Sequence, residues 1–118
     1  MSYTFKNKSV NPHFTNVADV APQEVFEHIP ELTLIDVREN SEYVGELGHI
    51  KGTQLIVLST IPQNLSSIPR EKPIVFVCRS GARSAQAANF AKQQGFDAVY
   101  NMTGGMLLWN QMQLPTEK

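Results

Sequence analysis

The fold is decided by one stretch, Ile74-Val75-Phe76-Val77-Cys78-Arg79-Ser80-Gly81-Ala82-Arg83-Ser84. Its first four residues are apolar throughout rather than alternating. A central parallel strand covered on both faces has that pattern. The chain then turns alanine-rich from Ser84 to Gln94, with Gln86, Asn89 and Gln93 as a polar stripe at helical spacing. Gly95 stands where a C-terminal glycine cap belongs. A buried strand running through a tight loop into a helix is the repeating unit of an α/β layer.

Working outward, the same alternation recurs. Pro22 to His28 reads as a short helix with Pro22 at its first position and Val25, Phe26 and Ile29 as its apolar face. Leu32 to Ile35 reads as a buried strand ending at Asp36, and Ser41 as the cap of a helical turn through Val44. Gln54 to Leu58 reads as a strand, Ile61 to Ile68 as a short helix closed by Pro69, Ala98 to Asn101 as a last strand and Met106 to Gln111 as a last helix. The expectation is a small α/β domain with a mainly parallel sheet of about five strands flanked by helices. Residues 1–14 are polar and mixed and read as an arm, flexible or packed, ahead of a domain over residues 15–118. Asp36, Cys78 and the turn Thr103-Gly104-Gly105 each follow a predicted strand. They therefore fall on the rim where such sheets bind ligands.

Composition narrows the function. The 118 residues fit one core, and 42% hydrophobic with 18% charged residues is an ordinary globular balance. A net charge of -1 gives no footprint for nucleic acid. No apolar run approaches the roughly 20 residues of a membrane span, and Met1 to Phe14 lack the apolar core of a signal peptide. The expected setting is cytoplasmic. One cysteine leaves no internal disulfide and no paired-cysteine redox motif, and His13, His28 and His49 have no metal-ligand spacing. No metal or organic cofactor is expected.

The chemistry concentrates at Cys78. A tight loop between a buried strand and a helix N-terminus points backbone N–H groups at one spot, and the helix adds positive potential. Arg79 and Arg83 add two charges, and Gly81 allows a backbone conformation closed to other residues. Such a nest binds an anion and favours a thiolate, whereas an ordinary cysteine is only a few per cent thiolate at neutral pH. The bland alternative is a small buried residue ending a strand. Glycine and two arginines in the loop weigh against it.

Taken in order, Asp36-Val37-Arg38-Glu39, Glu42-Tyr43, Gly48-His49-Ile50-Lys51-Gly52, the cysteine loop, and Gly104-Gly105 with Trp109 make the chain resemble the rhodanese family in its single-domain form, from Val17 to the C-terminus. The resemblance implies a sulfurtransferase. Cys78 matches the family's nucleophile, which takes a sulfane sulfur from a donor such as thiosulfate, holds it as a persulfide and passes it to cyanide or a thiol. A protein thiol is one such acceptor. Arg79, Ser80, Gly81, Ala82, Arg83 and Ser84 match the loop whose amides face the outer sulfur. Val44-Gly45-Glu46-Leu47 lengthens the segment before Gly48 beyond the commonest family spacing, and Thr53 stands where alanine is more usual.

Phosphatase chemistry is the main rival, since a phosphatase branch shares the fold and uses C-x5-R. Cys78 to Arg83 is C-x4-R, a smaller cradle that suits one sulfur atom better than a phosphate. A binding module without catalysis is a third reading, and the presence of the cysteine argues against it. Asp36 and Arg38 are read as a pair near the rim that fixes the fold and orients the loop, with Arg38 also a candidate for attracting an anionic donor. His49 is read as a turn residue, Trp109 as core beside Met102, Met106 and Leu107, and Gly104-Gly105 as a tight turn behind the pocket.

Overall fold

The computed structural model describes residues 3–118; Met1 and Ser2, the start of the arm, lie outside the described residues. Among the described residues there are six strands: β1 (Lys8–Val10), β2 (Ala18–Val20), β3 (Thr33–Asp36), β4 (Gln54–Leu55), β5 (Ile74–Val77) and β6 (Val99–Met102). Five helices accompany them: α1 (Pro22–Glu27), α2 (Asn40–Tyr43), α3 (Ile61–Asn64), α4 (Ala82–Gln93) and α5 (Gly105–Gln111). The strands form one sheet in the order β1-β2-β6-β5-β3-β4, parallel except for β1, which runs antiparallel to β2.

β5 sits near the middle of the sheet, and its side chains divide the core. Ile74 and Phe76 point into one apolar cluster with Ala87, Ala88 and Ala91 of α4. Val75 and Val77 point into the other, with Met102, Met106 and Trp109. This period-two alternation between two covered faces is why the segment is apolar throughout. Cys78 continues the Phe76 face, so its side chain is directed to the α4 side. Alanines on α4 let the helix approach the sheet closely. The helix closes in a Schellman motif, with Gly95 N–H bonded to Lys92 O (3.1 Å) and Phe96 N–H to Ala91 O (3.0 Å).

Several boundaries differ from expectation. The sheet has six strands where about five were expected: Ala18–Val20 adds a strand beside β6, and Lys8–Val10 of the arm joins the edge by pairing with it. The arm is also anchored at Phe5, which is buried beside Val20, and at Glu24, whose carboxylate accepts from the Lys6 and Asn7 amides. β4 is only Gln54–Leu55, although the Ile56 and Leu58 amides still reach Asp36 O and Val37 O across β3. The expected helix from Ile61 to Ile68 is split into α3 and a 3-10 turn over Leu65–Ser67. α2 is capped by Glu39 rather than Ser41, in a reciprocal capping box with Glu42. No helix among the described residues is long and apolar enough to cross a membrane.

Candidate active site

β5 delivers Cys78 to the carboxyl rim of the sheet, where Asp36 ends β3 and Thr103 follows β6. α5 fixes the backbone there: Met106 N–H bonds Cys78 O (2.8 Å) and Leu107 N–H bonds Arg79 O (3.0 Å). The approach is so close that a Cβ on Gly105 would lie 2.4 Å from Cys78 O and 2.5 Å from Arg79 O. Gly104-Gly105 is therefore the point where α5 holds the cysteine loop, and both residues have positive φ.

The loop then folds back over the sulfur. Gly81 takes φ +106° and starts α4, and its N–H donates to Cys78 Sγ at 3.1 Å. The Ser84 hydroxyl lies 3.2 Å from the same sulfur. Cys78 is only 1% exposed, while Arg79, Ser80 and Ala82 are on the surface. The sulfur thus sits beneath a short lip of loop at the N-terminus of a 12-residue helix.

Two ion pairs stand on the β3 side. Asp36 and Arg38 are both buried. The guanidinium donates to the carboxylate from Nε (2.9 Å) and Nη2 (2.8 Å) and bonds the carbonyls of Gly48 (2.7 Å) and Glu42 (3.3 Å). Arg38 ties the lengthened loop before Gly48 to the sheet. With its donors so occupied and the residue 1% exposed, it is not presented to an anion in solution. Arg83 makes a bidentate pair with Glu42, 2.8 Å at both oxygens. The arginine's hydrogen bonds hold the Glu42 carboxyl well below its ordinary range, at about 2, and the pair raises Arg83 in turn.

The β6 side holds a chain of polar side chains that the reading of the sequence did not single out. The Ser84 hydroxyl also lies 2.5 Å from Asn101 Oδ1. The Asn101 amide nitrogen donates to Asp19 Oδ1 (2.9 Å), and that oxygen accepts a second bond from Asn11 Nδ2 (2.9 Å). Asn11 Oδ1 in turn accepts from the His13 and Phe14 amides and shapes the end of the arm. A cavity of about 460 Å³ opens here, walled by Asn11–Phe14 on one side and by Ser80, Gly81, Ala85 and Asn101 on the other. The signal that was available was a polar residue, Asn101, inside an otherwise apolar strand.

His49 stacks flat on Tyr43 (3.7 Å between ring centroids) and bonds Tyr43 O (2.8 Å); its hydrogen bonds do not reach the cysteine loop. Trp109 is fully buried with Met102 and Met106, while Leu107 is half-buried. Among the described residues no group of three or more His, Cys, Asp or Glu is placed to hold a metal ion.

Fold and site together define an α/β domain that presents a buried, hydrogen-bonded cysteine at a strand-to-helix loop. The rhodanese-like domain family matches residues 17–112, and the chain belongs to that family. It is 40% identical over 93 residues to YtwF of Bacillus subtilis (79% of this chain, 87% of that one). It is 36% identical over 85 residues to a sulfurtransferase of Allochromatium vinosum (72% and 78%). It is 28% identical over 105 residues to the thiosulfate sulfurtransferase GlpE of Vibrio cholerae (89% and 96%). A crystal structure of a rhodanese-related protein from Thermoplasma volcanium superposes with a TM-score of 0.76 at 28% identity, covering 82% of this chain and 94% of that one. The protein is a sulfurtransferase of the rhodanese family.

Proposed function

We propose that this sulfurtransferase moves a sulfane sulfur from an anionic donor such as thiosulfate to a thiophilic acceptor, cyanide or a thiol, through a persulfide on Cys78. The observation that carries the reading is the seat of the chain's one cysteine. Its sulfur meets the Gly81 N–H and the Ser84 hydroxyl at the positive end of α4, so negative charge on that atom is favoured. The thiolate attacks the outer sulfur of thiosulfate; a new S–S bond forms, the old one breaks, and sulfite leaves with the bonding pair. No proton is needed, and the negative charge passes to the outer persulfide sulfur. That atom faces the backbone amides of the loop of Arg79, Ser80, Gly81, Ala82, Arg83 and Ser84. Cyanide or a thiolate then takes the outer sulfur and restores the Cys78 thiolate. Asp36 and Arg38 act by holding the rim, not by touching substrate. The kinship to GlpE supports thiosulfate as donor, and a free cysteine fits a reducing, cytoplasmic setting.

Intact-mass measurement tests this. The protein should gain one sulfur after thiosulfate and lose it after cyanide. Cys78-dependent turnover of an aryl phosphate, with no mass gain from thiosulfate or mercaptopyruvate, would overturn it.

A further inference from the structure

The buried chain from Cys78 through Ser84, Asn101 and Asp19 to Asn11 contains a conflict over one proton. Ser84 has a single hydroxyl hydrogen and two acceptors in range, Cys78 Sγ at 3.2 Å and Asn101 Oδ1 at 2.5 Å. The Asn101 amide cannot turn to relieve the conflict. Its nitrogen must face the Asp19 carboxylate, which only accepts, so its oxygen must face Ser84. Asp19 is itself held by Asn11. With a neutral thiol the chain is satisfied: S–H donates to Ser84 Oγ, and Ser84 donates to Asn101. With a thiolate, the Ser84 proton is drawn to sulfur and Asn101 Oδ1 loses its donor in a site where Asn101 is 2% and Ser84 0% exposed.

We propose that Asn101, clamped by Asp19, is a positioning residue that competes with Cys78 for the Ser84 proton, disfavouring the free thiolate relative to the persulfide. In the persulfide the charge lies on the outer sulfur, one bond further from Ser84, and the hydroxyl returns to Asn101. The pair therefore biases the protein toward its sulfur-loaded form. This rests on the persulfide reading above.

The charged and titratable groups around Cys78 are Asp36 and Arg38 beside β3, Glu42 on α2, Arg79 on the loop, Arg83 on α4 and Asp19 on β2, with His13 of the arm across the cavity. Within β6 and α5 the one titratable residue is Tyr100, whose ring packs on Phe5. Asn101→Leu changes none of these charges.

The test is the pH profile of Cys78 alkylation by iodoacetamide on the whole chain, without sulfur donor, so it stands apart from whether sulfur is transferred. Asn101→Leu should move the profile to lower pH, with alkylation about three- to fivefold faster on its rising limb. Ser84→Ala should move it to higher pH. The double variant should match Ser84→Ala, because Asn101 acts through Ser84. If Asn101→Leu does not fold, Asn101→Ala, whose side chain borders the cavity, gives the same comparison. An unchanged profile, a shift to higher pH, or an equal shift in the Ser84→Ala background would overturn the proposal. A normal set of shifts with no mass gain from thiosulfate would instead sink the persulfide reading and leave the proton competition standing.

Discussion

On its β3 side Cys78 is flanked by charge: Asp36 with Arg38, and Glu42 with Arg83. On its β6 side it is flanked by a hydroxyl and two amides that end on one carboxylate. The ionic flank is rigid and holds the rim, since Arg38 spends its donors on Asp36 and on two carbonyls of the neighbouring loop. The amide flank touches the sulfur itself through Ser84. Structure and reactivity are thus divided between the two flanks.

The sharpest break removes what they share. Cys78→Ser should abolish persulfide formation and sulfur transfer, a loss of at least about a thousandfold. The thermal midpoint should stay within a few degrees, since serine fits the site. Residual transfer in that variant would remove the nucleophile from the comparison. Arg38→Ala should strike stability instead: it strands Asp36 as a buried unpaired charge and should cost about 3–5 kcal/mol in urea unfolding. A loss below about 1 kcal/mol would mean the ionic flank is not the rigid one.

Arg83→Ala leaves Glu42 unopposed near the lip of the loop. It should raise KM for thiosulfate roughly fivefold, with less effect on an uncharged donor; equal effects on both would assign Arg83 a purely structural part. The smallest effect belongs to Glu42→Gln. Both partners of this pair are about a third exposed, at 35% and 29%, so the pair is worth about 0.2–1 kcal/mol at neutral pH. Because the Glu42 carboxyl is lowered in the folded chain, its stabilisation is present above about pH 4.5 and is lost as pH falls toward about 2. The gap between wild type and variant in urea unfolding should close over that interval, and a constant gap would detach it from titration of Glu42.

How legible each flank was in the sequence follows from its chemistry. The cysteine loop was readable because a strand buried on both faces must be apolar throughout, and a helix start must follow it. Asp36 and Arg38 are two residues apart, so their pairing was readable locally. Arg83 and Glu42 are 41 apart and their pairing was not. Asn101 and Asp19 meet across 82 residues. β2 itself escaped notice because Ala18-Asp19-Val20 has neither length nor strand-like composition, and β1 because Lys8-Ser9-Val10 is wholly exposed and shows no alternation. These strands exist because pairing partners were already in place beside them. A one-dimensional pattern does not carry that information.

The two margins of the sheet, β1 with three residues and β4 with two, leave little ladder for a foreign strand to extend. β1 is short and carries Lys8, both of which blunt edge-to-edge association. Stripping it away would bare the backbone of Ala18–Val20, a parallel-sheet margin with unpaired donors and acceptors. The first consequence of losing Lys8–Val10 would then be self-association into aggregates.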